Sequence, residues 1–262
     1  MSCNIELISR RRPHDFIDNW YQLSREGHFW FYWRFAATLQ MLSAVGLPLN
    51  KPLRALEIGC GTGVLRRQFE TATNWFVDAT DLNYEALAKM QTGRGRILYY
   101  DVLEQKEQFR KAYDVVILFD VLEHIGDSHA FLKAAAAHLK PSGVLLVNVP
   151  AMPSMFSKYD EAAGHLRRYN KRTLSNAFAD SGLMTTSLRY WGLTLLPFLL
   201  LRKLSHHVRS QESPAAIIRS GFHVNRTTNY CLRKLAEIEN GILRSLPLGS
   251  SLLAIAKLAD QR

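Results

Sequence analysis

The stretch LEIGCGTG, residues 56–63, decides the fold of this 262-residue chain. It ends a short apolar run and begins a helical pattern, which predicts a turn between a buried strand and a helix. Glycines let such a turn bend sharply and let a ligand approach the backbone, while the N-terminus of the following helix offers unpaired N–H groups. The GxGxG spacing differs from the GxGxxG of dinucleotide sites. Taken alone, the loop leaves both a ligand-binding turn and a tight structural turn open.

Short apolar runs alternate with helical patterns from Pro52 to Pro150, which is typical of βαβ units and a parallel sheet. The predicted strands are Leu53–Ile58, Trp75–Ala79, Arg96–Tyr100, Tyr113–Phe119, Val144–Val149, Leu183–Tyr190 and Ser250–Lys257. The predicted helices are Phe16–Leu47 (as one or two helices), Gly63–Glu70, Tyr84–Met90, Ser128–Leu139, Lys171–Asp180 and Thr227–Leu246.

Acidic residues follow the strands on either side of the glycine loop. Asp81 lies 20 residues beyond Gly61, Asp101 follows the third predicted strand, and Asp120 follows Phe119 at the end of the fourth. Open α/β sheets bind ligands at the carboxyl ends of their strands, where an acidic side chain can accept ribose hydroxyls. Four such features in order favour a nucleotide-like ligand over a purely structural turn.

Five segments resemble class I S-adenosylmethionine-dependent methyltransferases of types 11 and 12. They are LEIGCGTG (56–63), ATDLN (79–83), YYDVLE (99–104), FDVLEHIGD (119–127) and LKPSGVLLVNVP (139–150). The resemblance implies an α/β fold with a Rossmann-like, doubly wound, seven-stranded sheet whose last two strands are antiparallel. It also implies S-adenosyl-L-methionine as the cofactor.

The resemblance further implies which residues bind the cofactor. Glu57, Gly59 and Gly61 would hold the methionine moiety, Asp81 the ribose and Asp101 with Val102 the adenine, while Phe119 and Asp120 would lie near the sulfonium. Cys60, Gly63 and Leu82 complete this set within the same segments. Arg34, in the aromatic stretch HFWFYWR (28–34), is a candidate ligand for the carboxylate of the cofactor; the same stretch is equally compatible with a buried core helix.

The layout predicts four regions. Residues 1–50 form an N-terminal helical lid, 51–190 the cofactor-binding core, 191–249 a helical cap and 250–262 the final strand of the core. The cap is inserted between the last two strands, and a loop of that length is expected to carry its own secondary structure.

Methyl transfer needs a well-positioned nucleophile and, for a protonated oxygen or nitrogen, a nearby base. The segment DEAAGHLRRY, residues 160–169, follows the fifth predicted strand and supplies suitable groups. A histidine titrates near neutrality, and arginines bind phosphate or carboxylate. The predicted catalytic residues are His165, Tyr169 and His124, and the predicted acceptor-binding residues are Arg167, Arg168 and Asp160. The alternative is a structural loop in which Tyr169 packs and Asp160 pairs with an arginine; His124 is also compatible with a purely structural role.

The net charge of +10 is concentrated in the C-terminal part of the chain. Residues 1–150 hold 17 basic and 16 acidic side chains, whereas residues 151–262 hold 16 and 7. Apolar content of 47% excludes a mainly disordered chain. The three distant cysteines favour a reducing compartment over a disulfide scaffold, and the N-terminus lacks a secretory signal pattern. No HxH, HExxH or carboxylate cluster indicates a metal site, so none is predicted.

The apolar run Trp191–Leu201, followed by Arg202, Lys203 and Arg209, is too short to span a bilayer. It is either a buried cap helix with a solvated cationic end or a surface that contacts anionic lipid. The second alternative favours a lipid-linked acceptor and a cytoplasmic protein peripheral to the inner face of the membrane. Nucleic acid is disfavoured, because the cations alternate with long apolar runs. Nothing in the sequence indicates an oligomeric state.

The sequence therefore predicts a methyltransferase that acts on O or N of a small-molecule acceptor, with a quinone precursor or a polyprenyl-linked saccharide as candidate lipid-linked forms. An alternative from another class is a protein that binds the cofactor without transferring methyl groups and serves as a partner subunit. An NAD(P)-dependent oxidoreductase is disfavoured by the glycine spacing.

Overall fold

The apolar runs of the sequence form an eight-stranded sheet. The computed structural model describes residues 4–12, 27–208, 213–222, 224–242 and 246–259. The strands are β1 Ile5–Leu7, β2 Arg54–Ile58, β3 Phe76–Asp81, β4 Ile97–Tyr99, β5 Tyr113–Phe119, β6 Leu139–Pro150, β7 Leu183–Trp191 and β8 Ser251–Leu258. Their spatial order is β1-β4-β3-β2-β5-β6-β8-β7. Strands β1 to β6 pair in parallel, whereas β8 is antiparallel to both β6 and β7.

Helices cover both faces of this sheet. They are α1 Phe29–Ala44, α2 Val64–Ala72, α3 Tyr84–Ala88, α4 Ser128–Ala137, α5 Lys158–Ala162, α6 Lys171–Asp180, α7 Leu196–Val208, α8 Pro214–Phe222 and α9 Arg226–Ile242. On one face, α4 and α6 contribute Phe131 and Phe178 to a core with β4, β5 and β6. On the other face, α1, α2 and α9 contribute Trp33, Phe69 and Ala236.

The central position of β5 in the sheet explains why its sequence is apolar almost throughout. Val115–Leu118 of β5 are fully buried, because helices cover both sides of the strand, and a parallel strand in that position is apolar almost continuously. Strands β2, β3, β4 and β5 pair in parallel, so their carboxyl ends lie along one edge of the sheet.

The predicted doubly wound α/β fold is confirmed, with one more strand than expected. The extra strand is β1, which pairs with β4 and lies in the region assigned to the helical lid. Three residues are too few to show a strand period in the sequence. Within residues 27–50, the lid region forms the single helix α1; residues 16–26 of the expected helix lie outside the described residues.

One predicted helix boundary shifts because of strand pairing. Helix α4 ends at Ala137 rather than Leu139, because Leu139 already pairs with Tyr113 and begins β6. The described part of α9 reaches Ile242, and residues 243–245 of the predicted helix lie outside the described residues. The shift of α4 falls at an element end, where sequence patterns are least informative.

The described residues between β7 and β8 form the helices α7, α8 and α9, as expected, and α9 packs on α1. The amide of Phe29 donates to Asn229 Oδ1 at 2.7 Å, and Gln40 Nε2 donates to the carbonyl of Asn240 at 2.8 Å. The buried Glu239 accepts from the amides of Gly192 and Thr194 at 2.7 and 2.9 Å. Helices α1 and α9 thus form one layer against the sheet. In the part of the chain that the structure describes, no helix combines the length and apolarity needed to cross a membrane.

A substitution at Gly95 tests the packing of β4 against β3. A Cβ atom there would lie 2.1 Å from the carbonyl oxygen of Val77, and that backbone cannot move without disturbing the sheet. We expect Gly95→Ala to lower the free energy of unfolding by about 1–3 kcal/mol, measured by urea denaturation. Gly126→Ala is the control, since a Cβ at Gly126 would meet nothing within 4 Å. Equal stability of the two variants would contradict this packing.

Candidate active site

A cavity of about 600 Å³ opens at the carboxyl edge of the sheet. Its wall combines the glycine loop after β2 with the residues that follow β3, β4 and β5. Phe31 and Arg34 of α1 close one side, and Ala163 and Gly164 after α5 close another. The position follows from the fold, because the strands that surround the cavity all end at the same edge.

The glycine loop has a conformation that other residues would strain. Gly59 and Gly63 have φ of 74° and 75°, in the left-handed region that favours glycine. A Cβ on Gly59 would also lie 2.5 Å from Cγ2 of Val121. Asp81 fixes the loop from β3: its Oδ2 accepts the Gly61 amide at 2.7 Å, and its Oδ1 accepts the Asn83 amide at 2.8 Å.

Eleven of the twelve predicted cofactor residues line this cavity: Arg34, Glu57, Gly59, Cys60, Gly61, Asp81, Leu82, Asp101, Val102, Phe119 and Asp120. The twelfth, Gly63, is the N-cap residue of α2 and does not line the wall. Their roles toward a cofactor remain predictions, while their convergence on one cavity is a property of the structure.

The side of the cavity near Asp101 includes a contact that the sequence did not predict. The Asp101 amide donates to Ser9 Oγ at 2.9 Å, and the Asp101 side chain accepts from the Leu103 amide at 3.0 Å. Ser9 follows β1, so the N-terminal segment supports this loop. No sequence pattern indicated the contact between Ser9 and Asp101, because the three residues of β1 are too few to predict a strand.

Glu57 is a buried acid with an unsatisfied atom on the cavity wall. Its side chain is buried, and Oε2 has no hydrogen-bond partner among the described residues. Burial raises the pKa of Glu57 to about 8, although Arg34 and Arg66 favour its charged form. A cationic ligand in the cavity would satisfy this carboxylate.

A buried polar chain connects the cavity to four elements. Arg34 of α1 forms an ion pair with Asp120, Asn148 Nδ2 of β6 donates to Asp120 at 2.7 Å, and Trp191 Nε1 of β7 donates to Asn148 at 2.8 Å. Burial raises the pKa of Asp120 even though Arg34 opposes that shift. Asp120 also has φ of 58°, in the left-handed region, which aspartate adopts more often than most residues other than glycine. The sequence did not predict Asn148 and Trp191 as parts of this chain.

Asp160 holds the predicted catalytic loop together from the inside. It is fully buried, and its Oδ1 accepts from His165 Nδ1 at 2.9 Å and from Arg168 Nε at 2.8 Å. Its Oδ2 accepts from the backbone amide of Ser157 at 3.0 Å. Burial would raise the pKa of Asp160, but these hydrogen bonds lower it.

The loop residues differ in their access to an acceptor. Asp160 and Arg168 are buried, hydrogen-bond to each other and are not part of the cavity wall, so their contact with an acceptor stays a prediction. Tyr169 is also buried and donates to the Leu122 carbonyl at 3.4 Å, the packing role that was the alternative for this residue. Arg167 donates to the Gly126 carbonyl at 3.1 Å. The sequence could not separate these cases, because burial of an arginine depends on its tertiary partner.

The remaining candidates, His124 and His165, come together with Glu123. The two imidazole rings are 4.9 Å apart between centroids, and His165 Nε2 lies 3.9 Å from Glu123 Oε1. His124 lines the cavity whereas His165 is not part of its wall, and burial, together with repulsion from His165 when that ring is protonated, lowers the pKa of His124 to about 4. Glu123 is buried as well, which raises its pKa. The sequence did not reveal this cluster, because His165 reaches it from a different loop.

Comparisons with known proteins agree with this geometry. A family model described as a methyltransferase domain matches residues 32–188, more than half of the chain. A ubiquinone biosynthesis O-methyltransferase of Rhodopseudomonas palustris is 33% identical over 109 residues, which is 40% of this chain and 43% of that protein. The chain thus spans less than half the length of the curated relatives it matches.

Two solved structures share the fold at low sequence identity. A 1,6-didemethyltoxoflavin-N1-methyltransferase of Burkholderia thailandensis, with bound S-adenosylhomocysteine, is 16% identical with a TM-score of 0.51 over 87% of this chain and 79% of that one. A phosphoethanolamine N-methyltransferase 2 of Haemonchus contortus, in complex with S-adenosyl-L-methionine, is 18% identical with a TM-score of 0.53 over 85% of this chain and 52% of that one.

The raised pKa of Glu57 predicts a pH-dependent stability. The folded protein keeps a proton on Glu57 that the unfolded chain has released, so this group's contribution to stability is lost between about pH 4.5 and 8 as the pH rises. Arg34, Arg66 and Asp81 are the charged groups that act on it. We expect Glu57→Gln to remove this loss, so that the stability of the variant relative to the parent increases with pH, by at most about 1.4 kcal/mol per pH unit.

Urea denaturation at pH 5, 6.5 and 8 measures this difference. The control is Glu107→Gln, which removes a carboxylate whose side chain is 89% exposed. If the difference between parent and Glu57→Gln stays constant over this range, the carboxyl group does not hold its proton in the folded protein.

Proposed function

The chain belongs to the methyltransferase domain family, and from that premise we propose that it transfers a methyl group from S-adenosyl-L-methionine to an oxygen atom of a small-molecule acceptor. The observation that carries the proposal is the cavity in which the glycine loop meets Asp81, Asp101 and Asp120 at the ends of β3, β4 and β5. Three carboxylates around one glycine-rich turn match the donors of a nucleoside with a cationic amino-acid tail.

The residues on the wall fit this cofactor group by group. The unsatisfied Oε2 of Glu57 suits the ammonium group, and Arg34 suits the carboxylate. Asp81, whose carboxylate accepts the backbone amides of Gly61 and Asn83, lies on the cavity wall, and a carboxylate there suits a ribose hydroxyl. Asp101 can accept from an exocyclic amine, with the buried Val102 beside it.

The protein contributes to the reaction chiefly by positioning the acceptor relative to the methyl group. The chemistry that the cofactor supplies is an activated methyl group on a sulfonium, so orientation of the acceptor accounts for most of the acceleration. Asp120, fixed by Arg34 and Asn148, and the ring of Phe119 form the wall where β5 ends. Their shared network restricts the geometry of this wall before any ligand binds.

The acceptor side of the cavity is apolar and supports a hydrophobic acceptor. Phe31 of α1, Tyr159 and Ala162 of α5, and Ile217 and Ile218 of α8 pack into one cluster next to Ala163. Phe31 and Ala163 also line the cavity, so the cap packs against the apolar part of the wall, where we place the acceptor. The curated relative is named for ubiquinone biosynthesis, and we therefore propose a hydroxylated quinone precursor with an apolar tail rather than a polyprenyl-linked saccharide.

Binding of S-adenosylhomocysteine, measured by isothermal titration calorimetry, tests the cofactor site. We expect one site per chain and at least about a 10-fold loss of affinity in Asp81→Ala, because a hydrogen bond to a charged group contributes about 1.5–3 kcal/mol. Glu85→Gln, an exposed carboxylate on α3 outside the cavity wall, should bind like the parent. Thermal unfolding of each variant verifies that it is folded. Absence of binding by ligand-free parent protein would refute the proposal.

Transfer itself is measured with methyl-labelled cofactor and hydroxylated aromatic acceptors, with and without a prenyl tail. Label on an acceptor oxygen, with a preference for the prenylated acceptor, supports the proposed reaction. Tight cofactor binding without transfer to either acceptor would instead favour the partner-subunit alternative.

We further propose that α7 contacts the membrane surface from which such an acceptor would be drawn. Phe198, Leu200, Leu201 and Leu204 of this helix are between 49% and 64% exposed, and residues 151–262 have a net charge of +9. The cations that were expected to contact anionic lipid contribute less to this surface, because both already have partners within the protein. The Arg202 guanidinium lies 3.7 Å from the centroid of the Tyr159 ring, and Lys203 donates to the Ser154 carbonyl. Arg209 lies outside the described residues. The apolar side chains therefore carry this proposal, together with the general positive charge.

Flotation with vesicles that contain phosphatidylglycerol tests this contact. We expect binding at low salt and a clear loss in Leu201→Asp, since the substitution places a charge where an apolar side chain would enter the headgroup region. Met184→Asp is the matched control, because Met184 is 53% exposed on β7. Absence of flotation of the parent protein at low salt would contradict the membrane contact, and the cap would then only cover the core. The predicted cytoplasmic location is not measured by flotation.

A further inference from the structure

Glu123, His124 and His165 bring three metal-binding groups to one point beside the cavity. One ligand atom from each side chain lies within 4.8 Å of the others. We propose that these residues bind a divalent transition-metal ion, with zinc as the reference ion. Carboxylate and imidazole ligands suit this class of metal, and three protein ligands leave a position open for water or a substrate.

The state of Glu123 is the first argument for a bound cation. Its side chain is 1% exposed, and neither carboxylate oxygen has a hydrogen-bond partner within the described ranges of the chain. A buried carboxylate without partners is costly unless it is neutralised or coordinates a metal. Both oxygens are buried, and His165 Nε2 of the cluster lies 3.9 Å from Oε1.

The net charge of the groups around the cluster is also compatible with a bound cation. Asp120 forms an ion pair with Arg34, and Asp160 forms one with Arg168. Among the described residues, the ion pairs of Glu123 include only the contact with His165, which counts as one only when that ring is protonated. The balance of these two arginines against Asp120, Asp160 and Glu123 is one negative charge, which a divalent ion would more than neutralise.

The two histidines are oriented as metal ligands require. His165 Nδ1 donates to Asp160 Oδ1 at 2.9 Å, and His124 Nδ1 faces the Gly164 carbonyl oxygen at 3.0 Å. A carbonyl oxygen can only accept, so His124 carries its proton on Nδ1. In the neutral rings both Nε2 atoms then carry the lone pair, and a carboxylate behind a histidine is the usual support of a metal ligand.

The position of the cluster suggests what the ion would do, and this role rests on the proposed function. His124 is the member of the cluster that lines the cavity, so we place the open position on that side. A metal-bound hydroxyl loses its proton more readily, and the proton passes to solvent. The acceptor oxygen then forms a bond to the methyl carbon, the sulfur–carbon bond breaks, and its electron pair stays on sulfur. Under this assignment His165 is a ligand rather than the general base expected from the sequence.

Calorimetric titration with zinc chloride tests the site without cofactor or acceptor. The full chain is first treated with a chelator and returned to chelator-free buffer. We expect one equivalent to bind, and binding at least 10-fold weaker in His165→Ala and in the nearly isosteric Glu123→Gln. The control His129→Ala removes an exposed histidine outside the cluster and should bind zinc like the parent.

Cobalt(II) provides a second readout, because its visible absorption reports the ligand geometry of the folded protein. An intense tetrahedral-type spectrum in the parent and in His129→Ala, lost in the two cluster variants, supports the site. No stoichiometric binding, or equal binding by the parent and both cluster variants, would overturn it. Because S-adenosylhomocysteine affinity is measured separately, failure of the metal site and failure of the proposed function are distinguishable.

Discussion

The buried ion pair between Arg34 and Asp120 connects the parts of the molecule on which the cavity depends. It joins α1 to the end of β5, and Asn148 and Trp191 extend it to β6 and β7. Breaking one member would leave an unpaired charge in the interior, which is far more costly than the net contribution of the pair. The ion pair therefore adds to the apolar packing of α1 on the sheet and fixes the side chain of Asp120 on the cavity wall.

The buried acids of the site are neutralised in different ways, and the differences separate structural from functional groups. Asp160 accepts from His165, Arg168 and Ser157, so its oxygens are satisfied within the protein. Glu57 and Glu123 retain oxygens without partners in the described part of the chain, and burial raises the pKa of both. Unsatisfied acids at the edge of a cavity are the groups from which ligands can be inferred.

The basic residues of the C-terminal part of the chain, residues 151–262, are not all exposed to solvent. Arg168 is buried against Asp160, and Arg202 lies over the ring of Tyr159. Part of the excess positive charge therefore holds the loop after α5 and the cap together. The exposed apolar side chains of α7, rather than its cations, distinguish the outer surface of the cap.

The sequence by itself determined the sheet, the glycine loop and the acids at the strand ends, because strand periodicity, glycine conformation and the common edge of parallel strands are local or topological properties. It did not determine β1, which is too short to show a period, nor the contact between Ser9 and Asp101 that depends on it. Only the tertiary structure decided that Arg168 is buried while Arg34 lines the cavity, and that His165 meets Glu123 and His124. Burial and pairing of a charged side chain depend on residues distant in the chain, and no local pattern records which partner each one finds.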